Sequence, residues 1–476
     1  MCFIEAKVFN DPVHGHIELP YLIVQIIDTP QFQRLRNIRQ LGTTNFVYHA
    51  ASHSRFEHSL GVCYLAGELI NLLMLKQPEL GITEADSLCV QIAGLCHDLG
   101  HGPFSHSFES FMNRIDPNVH WSHENASVKM FRHIIAKNKL TNKFNQFQLD
   151  QDDLEFIEYL IDPLCSEHNP FVKRPNKHFL SEIVCNKYSG MDVDKWDYFA
   201  RDCYYLNLGT LFDYHRFIKY ARVIDVDGEL HISTREKEMN AVNDLYITRT
   251  MLHRRAYQHP VAKAVEIMIV DVLLKANDAI TLQASGKQFR ISECVNDMNA
   301  FELLDDRILY LIQTSTDPSL EQSRQLLRRI DQRDFYKFIG VAVAKDQKYW
   351  KACESGWADN NSIIANEICQ TNNSEIETKV EPDHLFIGIY MIKCNINGDD
   401  PCKFMFFYNK RQINKNVPIN FDKNYYIYPS VRSEQHIIVF CKCDEYILPA
   451  CVLFKLWCTT NGFALLKLNS RSIYER

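Results

Sequence analysis

Apolar residues recur at helical spacing through LGVCYLAGELINLLMLKQ (60–77) and again through ITEADSLCVQIAGLCHD (82–98). This period predicts two consecutive helices, the first stopped by Pro78. Thr83 stands as the N-cap of the second, with Asp86 three residues on to close a capping box. A further helix is expected over SHENASVKMFRHIIAK (122–137), with Ser122 as its cap. Helical patterning returns near 239–278 and 299–332. Two segments break the pattern. KVFNDPVHGHIEL (7–19) reads as two short strands about a Pro-containing turn, and ARVIDVDGELHIS (221–233) as a hairpin turning at Asp227-Gly228.

After about residue 340 the character changes. KDQKYWKACESGWADNN and QTNNSEIETKVEPD are polar and irregular. The runs HLFIGIYMIKC, KFMFFYNK and HIIVFCKC are strand-like, and LPACVLFKLWCTTNG is helical again. The fold class expected is mostly α, a helical core with short β-hairpins over 1–340, followed by a smaller α+β C-terminal lobe over 341–476. The lobe would serve regulation or oligomerisation.

Composition narrows the function classes. The 476 residues are 46% hydrophobic and 23% charged, as in ordinary globular proteins. A net charge of −7 argues against a surface coated in basic charge for duplex binding. No apolar run approaches the ~20 residues of a membrane helix, and MCFIEAKVFNDP does not look like a signal peptide. Sixteen cysteines are scattered, with no CxxC pair, so reduced thiols in an intracellular setting, nucleus or cytosol, are expected.

The chemistry concentrates in AGLCHDLGHGPFSH (93–106). His97 and His101 are four apart and would share a helical face. Asp98 can join the same metal if the helix ends there, as Gly100, Gly102 and Pro103 suggest. Two ligands do not hold a metal. His58 in SRFEHSLG and Asp194 in GMDVDKWDYFARD are candidates to complete a mixed nitrogen and oxygen site. Such a site suits iron, manganese, nickel, zinc or magnesium. Two polar stripes stand beside it: Asp194, Tyr198 and Asp202 at i, i+4, i+8, and Arg249, His253 and Tyr257 likewise. Their mix of acidic, basic and aromatic groups fits a ligand cleft. There is no P-loop and no GxGxxG, so phosphates would rest on metal and cationic side chains.

These strings carry a resemblance. KVFNDPVHGHIEL, DTPQFQRLR, ASHSRFEHSLGV, QIAGLCHDLGHGPFSH, DVDKWDYFARDC and LHRRAYQH resemble, in order and spacing, the vertebrate deoxynucleoside triphosphate triphosphohydrolases that combine a sterile-alpha-motif domain with an HD domain. The resemblance runs from Lys7 to about residue 340 and more weakly beyond, without a counterpart of the sterile-alpha-motif domain. It implies an HD-domain helical core and a metal held by His58, His97, Asp98 and Asp194. It also implies hydrolysis of dNTPs at the α-phosphorus to deoxynucleoside and triphosphate. His106 corresponds to the family's general acid, with His101 and His123 in the same pocket. Glu109 stands where the family has aspartate. Lys195 and Arg249 are implied for phosphates, Tyr198 and Asp202 for the sugar 3′-hydroxyl, and Tyr257 under the deoxyribose. Gln40, Leu41, Arg55, His253 and Gln258 belong to the same pocket, with Mg accompanying the nucleotide phosphates.

The resemblance further implies activation. Asp28, Gln33 and Arg36 can between them read a guanine, carboxylate to ring N–H and arginine to O6 and N7. In the family these positions, with Lys7, Val8, Arg333 and Lys337, bind GTP or dGTP at a homotetramer interface. A neighbouring dNTP activator site maps to Asn10, Val47, Tyr48, Arg216, Arg235, Lys237, His259, Val261 and Lys410. Pro260 in QHPVAK replaces a family lysine there, removing a cation and an N–H. Lowered dNTP pools and antiviral restriction are the implied cellular roles. Two other readings stand beside this one: an HD phosphohydrolase for another nucleotide or phosphomonoester, and a weak single-stranded nucleic-acid binder or nuclease using RLRNIR and HRRAYQH.

Overall fold

The computed structural model describes residues 6–117, 121–165, 169–343, 357–359, 361–371, 378–393, 401–417 and 433–469. Much of the two polar stretches, 345–361 and 370–383, lies outside them. The helices that carry the site form for local reasons. Ser54 and Glu57 make a reciprocal capping box at the start of Arg55–Lys76, and Thr83 and Asp86 make one at the start of Glu84–Cys96. Ser122 caps His123–Lys137 by accepting the Asn125 N–H at 3.2 Å. The helix Arg55–Lys76 has the length and apolarity of a membrane span, which revises the expectation that no segment does. It lies in the core instead, with 67% of its apolar window buried inside the protein.

The N-terminal strands Lys7–Asp11 and Gly15–Leu19 pair antiparallel, as expected. So do Arg222–Val226 and Glu229–Arg235, turning at Asp227 (φ +56°) and Gly228 (φ +94°). Two expectations need correction. The 239–278 pattern is two helices, Met239–Leu252 and Pro260–Ala276, separated by a π-helical turn, His253–Tyr257. Pro260 takes the first helical position, where its missing N–H has no partner to lose, and His259 caps by accepting the Val261 N–H. The 299–332 pattern is three helices, Met298–Phe301, Ile308–Thr314 and Glu321–Asp331; Asp297 caps the first, and Asp317 caps a 3-10 turn, Pro318–Leu320, that leads into the third. A third hairpin, Thr281–Ala284 with Lys287–Arg290, which the sequence pattern did not suggest, turns at Ser285-Gly286 between them.

Beyond residue 336 a five-stranded antiparallel sheet forms. Its order is Ala464–Leu468, Lys337–Val343, Ser433–Cys441, Leu385–Lys393, Trp357–Asp359. Alternation sends its side chains to two layers. Ile387, Ile389, Ile437 and Val439 pack with the helices Asn361–Cys369 and Ile447–Thr460. Phe386, Tyr390, Ile438 and Phe440 join the large helical core. The second strand-like run, KFMFFYNK, is the correction here. Only Phe406–Tyr408 is extended, and it adds parallel to Glu229–Arg235 instead of entering the five-stranded sheet. The fold is mostly α with short β-hairpins and a smaller α+β lobe.

Candidate active site

Helix Glu84–Cys96 stops at His97, and residues 97–100 turn away from its axis. His97 and His101 therefore do not share a helical face, contrary to the four-residue spacing. The turn lets His97 and Asp98 both point toward His58, in the first turn of the neighbouring helix. Gly100 is required here, since a Cβ would sit 2.2 Å from the His123 carbonyl oxygen. The ligating atoms of His58, His97 and Asp98 lie within 4.8 Å of one another. Asp194, from helix Val193–Tyr205, brings Oδ1 to 3.1 Å from His58 Nε2 and 3.4 Å from His97 Nε2.

The donor set fits a divalent cation. His58 Nδ1 donates to Asp197 Oδ2 at 2.7 Å, which leaves a buried Nε2 with no hydrogen-bond partner. His97 Nδ1 donates to the Gly94 carbonyl at 2.8 Å, which directs its Nε2 to the same point. Imidazoles oriented in this way, one nitrogen anchored and the other bare, are the usual state of metal ligands. The electrostatics agree. Burial opposes charge on His58, yet Asp194 and Asp197 outweigh it and raise its imidazole to about 10. Burial likewise opposes charge on Asp98, but Arg55, His97 and His101 hold its carboxyl well below the usual range. The cluster attracts positive charge.

Asp197, unremarked in the sequence, is the hub behind His58. It also meets His14 Nε2 at 2.6 Å and a bidentate Arg201 at 2.8 Å, and Arg201 reaches Asp11 at 2.9 Å. The signal was present in DVDKWDYFARD: Asp197 is one turn past Asp194, and Arg201 one turn past Asp197.

A second cluster adjoins the first. His101, His106, Glu109 and His123 also bring ligating atoms within 4.8 Å. His101 stacks on His123 at 4.1 Å and meets His106 edge-on at 5.2 Å. Glu109 accepts from His123 Nδ1 at 2.5 Å and from His106 Nδ1 at 3.1 Å. The longer side chain at position 109 thus reaches both imidazoles. Burial disfavours the charged form of His123, but Glu109 reverses this and raises it to about 9. His101 is driven the other way, well below the usual value, by burial first and then by Arg55 and His123.

The remaining pocket residues are linked to these. Arg55 reaches Asp98 at 2.5 Å, and the Gln40 carbonyl at 3.4 Å, next to Leu41. Tyr198 lies 6.4 Å from the His58 ring, and burial pushes its hydroxyl up to about 12. Lys195 is tied to Asp192 at 2.8 Å. Asp202 accepts from Tyr257 at 2.5 Å and from His53 at 2.7 Å, the latter a residue the sequence reading passed over. The stripe of Arg249, His253 and Tyr257 is corrected by the π-helical turn, which shifts the last residues round the axis. His253 and Tyr257 still meet at 5.0 Å, and Gln258 donates its N–H to the His253 carbonyl. Burial, then Arg249 and Lys263, lower His253 to about 3.

The positions expected for activators are only partly gathered in one chain. Gln33 accepts from Arg36 at 2.7 Å, Arg36 lies 3.5 Å over Phe56, and Asp28 is exposed at the end of the helix Tyr21–Ile27. Arg333 (φ +60°) donates to the Phe46 carbonyl, and Lys337 pairs with Asp334. Among the described residues no hydrogen bond or ion pair joins Lys7 or Val8 to these. For the second site, Tyr48 faces His259 at 6.4 Å, beside Val47 and Val261. Arg216, Arg235 and Lys237 surround the Tyr220 ring at 5.4, 5.8 and 4.7 Å. Asn10 is on the first strand, and Lys410 is exposed.

The fold and the His/Asp cluster define an HD-domain protein, and the sequence pattern of the HD domain matches residues 55–201. The chain is 45% identical to the deoxynucleoside triphosphate triphosphohydrolase SAMHD1 of Bos taurus over 471 residues, 96% of this chain and 79% of the relative. It is 45% identical to the Homo sapiens protein of the same name, covering 96% of this chain and 74% of that one. A SAMHD1 homolog from Dictyostelium discoideum is 37% identical over 92% of this chain and 78% of its own length. The chain belongs to the SAMHD1 family.

Proposed function

We propose that this chain is a metal-dependent hydrolase of deoxynucleoside triphosphates, activated by GTP or dGTP, that releases deoxynucleoside and intact triphosphate. One observation carries the reading to these residues. Buried polar atoms without partners gather on the expected pocket: Gln40 Oε1, His58 Nε2, both nitrogens of His101, Arg249 Nε, His253 Nδ1 and Gln258 Oε1. Buried polar groups are almost always satisfied, so such a concentration calls for a polar ligand.

His58, His97, Asp98 and Asp194 would hold the cation, which could be iron, zinc, manganese or nickel. It would supply Lewis acidity and lower the pKa of water. In the reaction a water oxygen bonds to the α-phosphorus and the bond from that phosphorus to the 5′-oxygen breaks. The leaving oxygen needs a proton. His106 is the donor we assign, held by Glu109, while His123 shares the same carboxylate and keeps positive charge nearby. His101 is held neutral by burial, Arg55 and His123, so it is not the acid. Lys195 and Arg249 would face the Mg-bound phosphates, and Tyr198, Asp202 and Tyr257 the deoxyribose. Activators at Lys7, Asp28, Gln33, Arg36, Arg333 and Lys337, and at the neighbouring dNTP site, would bridge a homotetramer. The setting we assign is intracellular, in nucleus or cytosol, lowering dNTP pools and restricting viruses.

The test is an assay with each dNTP, with and without GTP, resolving products by chromatography. Deoxynucleoside with intact triphosphate is expected. Orthophosphate or a nucleoside monophosphate would overturn the reading in favour of an HD phosphohydrolase of another substrate class.

A further inference from the structure

Two consecutive residues between the metal-ligand turn and helix His106–Ile115 adopt backbone angles that L-residues rarely take. Phe104 has φ +59°, and Ser105 has φ +57° with ψ −119°. Strain of this kind persists only where the surroundings over-determine it, and it clusters at functional sites. Here the surroundings can be named. Asp306, distant in sequence, accepts the Phe104 N–H on Oδ1 at 2.6 Å and the Arg39 N–H on Oδ2 at 3.0 Å. Its own N–H donates to the Asn37 carbonyl at 3.1 Å. From the other side the turn is closed by Gly42, where a Cβ would already sit 3.0 Å from the Phe104 carbonyl oxygen.

We propose that Asp306 is a positioning residue for the reaction, holding the strained Phe104–Ser105 turn so that Arg55 meets Asp98 and His106 enters its helix facing His101 and His123. The path to the site is continuous. The Ser105 hydroxyl donates to the Arg39 carbonyl at 2.7 Å and accepts from Arg55 Nε at 2.9 Å. Arg55 Nη1 reaches Asp98 Oδ2 at 2.5 Å. Asp306 therefore fixes both the strained backbone and the residue, Arg39, to which Ser105 is tied. Neither Asp306 nor Ser105 touches the ligating nitrogens, so their effect is on geometry. Misplacement of a reacting group by about 1 Å is enough to lower a rate on the order of a hundredfold. The proposal rests on the roles given above to His106, Arg55 and Asp98.

The test uses the full chain loaded with metal. In Asp306→Asn the amide keeps one acceptor oxygen and turns a donor toward the other N–H, so one of the two backbone anchors is lost. Ser105→Ala removes the bridge from Arg39 to Arg55 and leaves the backbone intact. Each variant is expected to lower kcat at least about tenfold with KM changed less than about twofold. Metal content should stay at the unaltered level, and hydrogen exchange should speed up at residues 104–108. The double variant should be no slower than the slower single one, since both act on one unit. The proposal is overturned if kcat is retained in Ser105→Ala, if the two losses multiply, or if activity falls only in step with metal content. Should Asp306→Asn not fold, Ser105→Ala alone decides by the same readouts. His106→Ala separates the two levels: full activity there would sink the assignment of His106 itself. A loss there with kcat retained in both Asp306→Asn and Ser105→Ala would sink only the positioning role.

Discussion

Glu109 accepts from two imidazoles at once, and that sharing has a sign in pH. His123 has its folded value raised to about 9 by Glu109 against burial. Glu109 is held well below the usual range by His106 and His123, again against burial. The pair's stabilisation is therefore present above the unfolded glutamate value of about 4.3 and below the unfolded histidine value of about 6.5. It is lost as pH rises through about 9, and at the acid end as Glu109 protonates. Replacing Glu109 by Gln removes the charge that keeps His123 protonated. The alkaline limb of the kcat/KM profile should move to lower pH in that variant, as parallel pH–rate profiles would show. An unmoved limb would mean that the charge on His123 does not govern the reaction. Behind His58, Asp197→Asn keeps one acceptor oxygen where four N–H donors from His14, His58 and Arg201 converge. Its affinity for the metal should fall about 10–100-fold, read from metal retained against a chelator.

Asp306 supplies a second pH effect of opposite sense. Burial pushes its carboxyl up to about 7, against the pull of the Phe104 and Arg39 N–H groups. A raised carboxyl in the folded state makes ionisation there unfavourable. The folded form then loses stability as pH rises from about 4, with the full effect above about 7. Asp306→Asn abolishes this slope. The stability difference between the unaltered chain and the variant, followed by chemical denaturation at several pH values, should shift in the variant's favour from pH 4 to 7.

At the scale of elements, the catalytic geometry depends on how closely Arg55–Lys76 and Val193–Tyr205 approach. Gly61 makes that approach possible, because a Cβ there would sit 1.8 Å from Asp197 Oδ1 and 2.5 Å from Arg201 Nη2. Both atoms are pinned by the hub, so they have little room to give. Gly61→Ala should destabilise the fold by roughly 1–3 kcal/mol or more and lower metal retention, since the Asp197–His58 bond is displaced with it. A denaturation midpoint and a metal measurement on one sample check both. Capped helices were legible in sequence: Thr83 with Asp86, and Ser122, lie where their spacing puts them. The π-helical turn His253–Tyr257 was not. A one-residue slip in a helix leaves the hydrophobic period almost intact, so nothing short-range marks it. Within 299–332 only the restart at Pro318 was marked locally, by the cap Asp317, and an apolar period running through the segment masked it.

For the whole molecule, the lobe beyond Lys337 is not a free appendage. Its sheet lends Phe386, Tyr390, Ile438 and Phe440 to the helical core, and Phe406–Tyr408 extends the hairpin that carries Arg235. Tyr408 also donates to the Tyr220 carbonyl, beside the three cations around that ring. Nucleotide binding at these edges would therefore be felt across both parts. If activators bridge subunits, GTP together with dATP should shift the chain to a tetramer on gel filtration and raise its Tm in a concentration-dependent way. No shift with both nucleotides present would count against the activated assembly and leave the catalytic site untouched.

The sequence by itself singled out the residues proposed for the chemistry, His58, His97, Asp98 and Asp194 beside a histidine cluster, and where some of the long helices begin, such as Glu84–Cys96 and His123–Lys137. Those are short-range facts, written in a period of 3.6 and in caps three residues apart. Only the tertiary structure decided what orients them. Asp197 lies behind His58 and Asp306 behind Phe104 because packed helices bring them there across 139 and 202 residues. No local pattern encodes such a meeting, since it follows from which faces the core buries against each other.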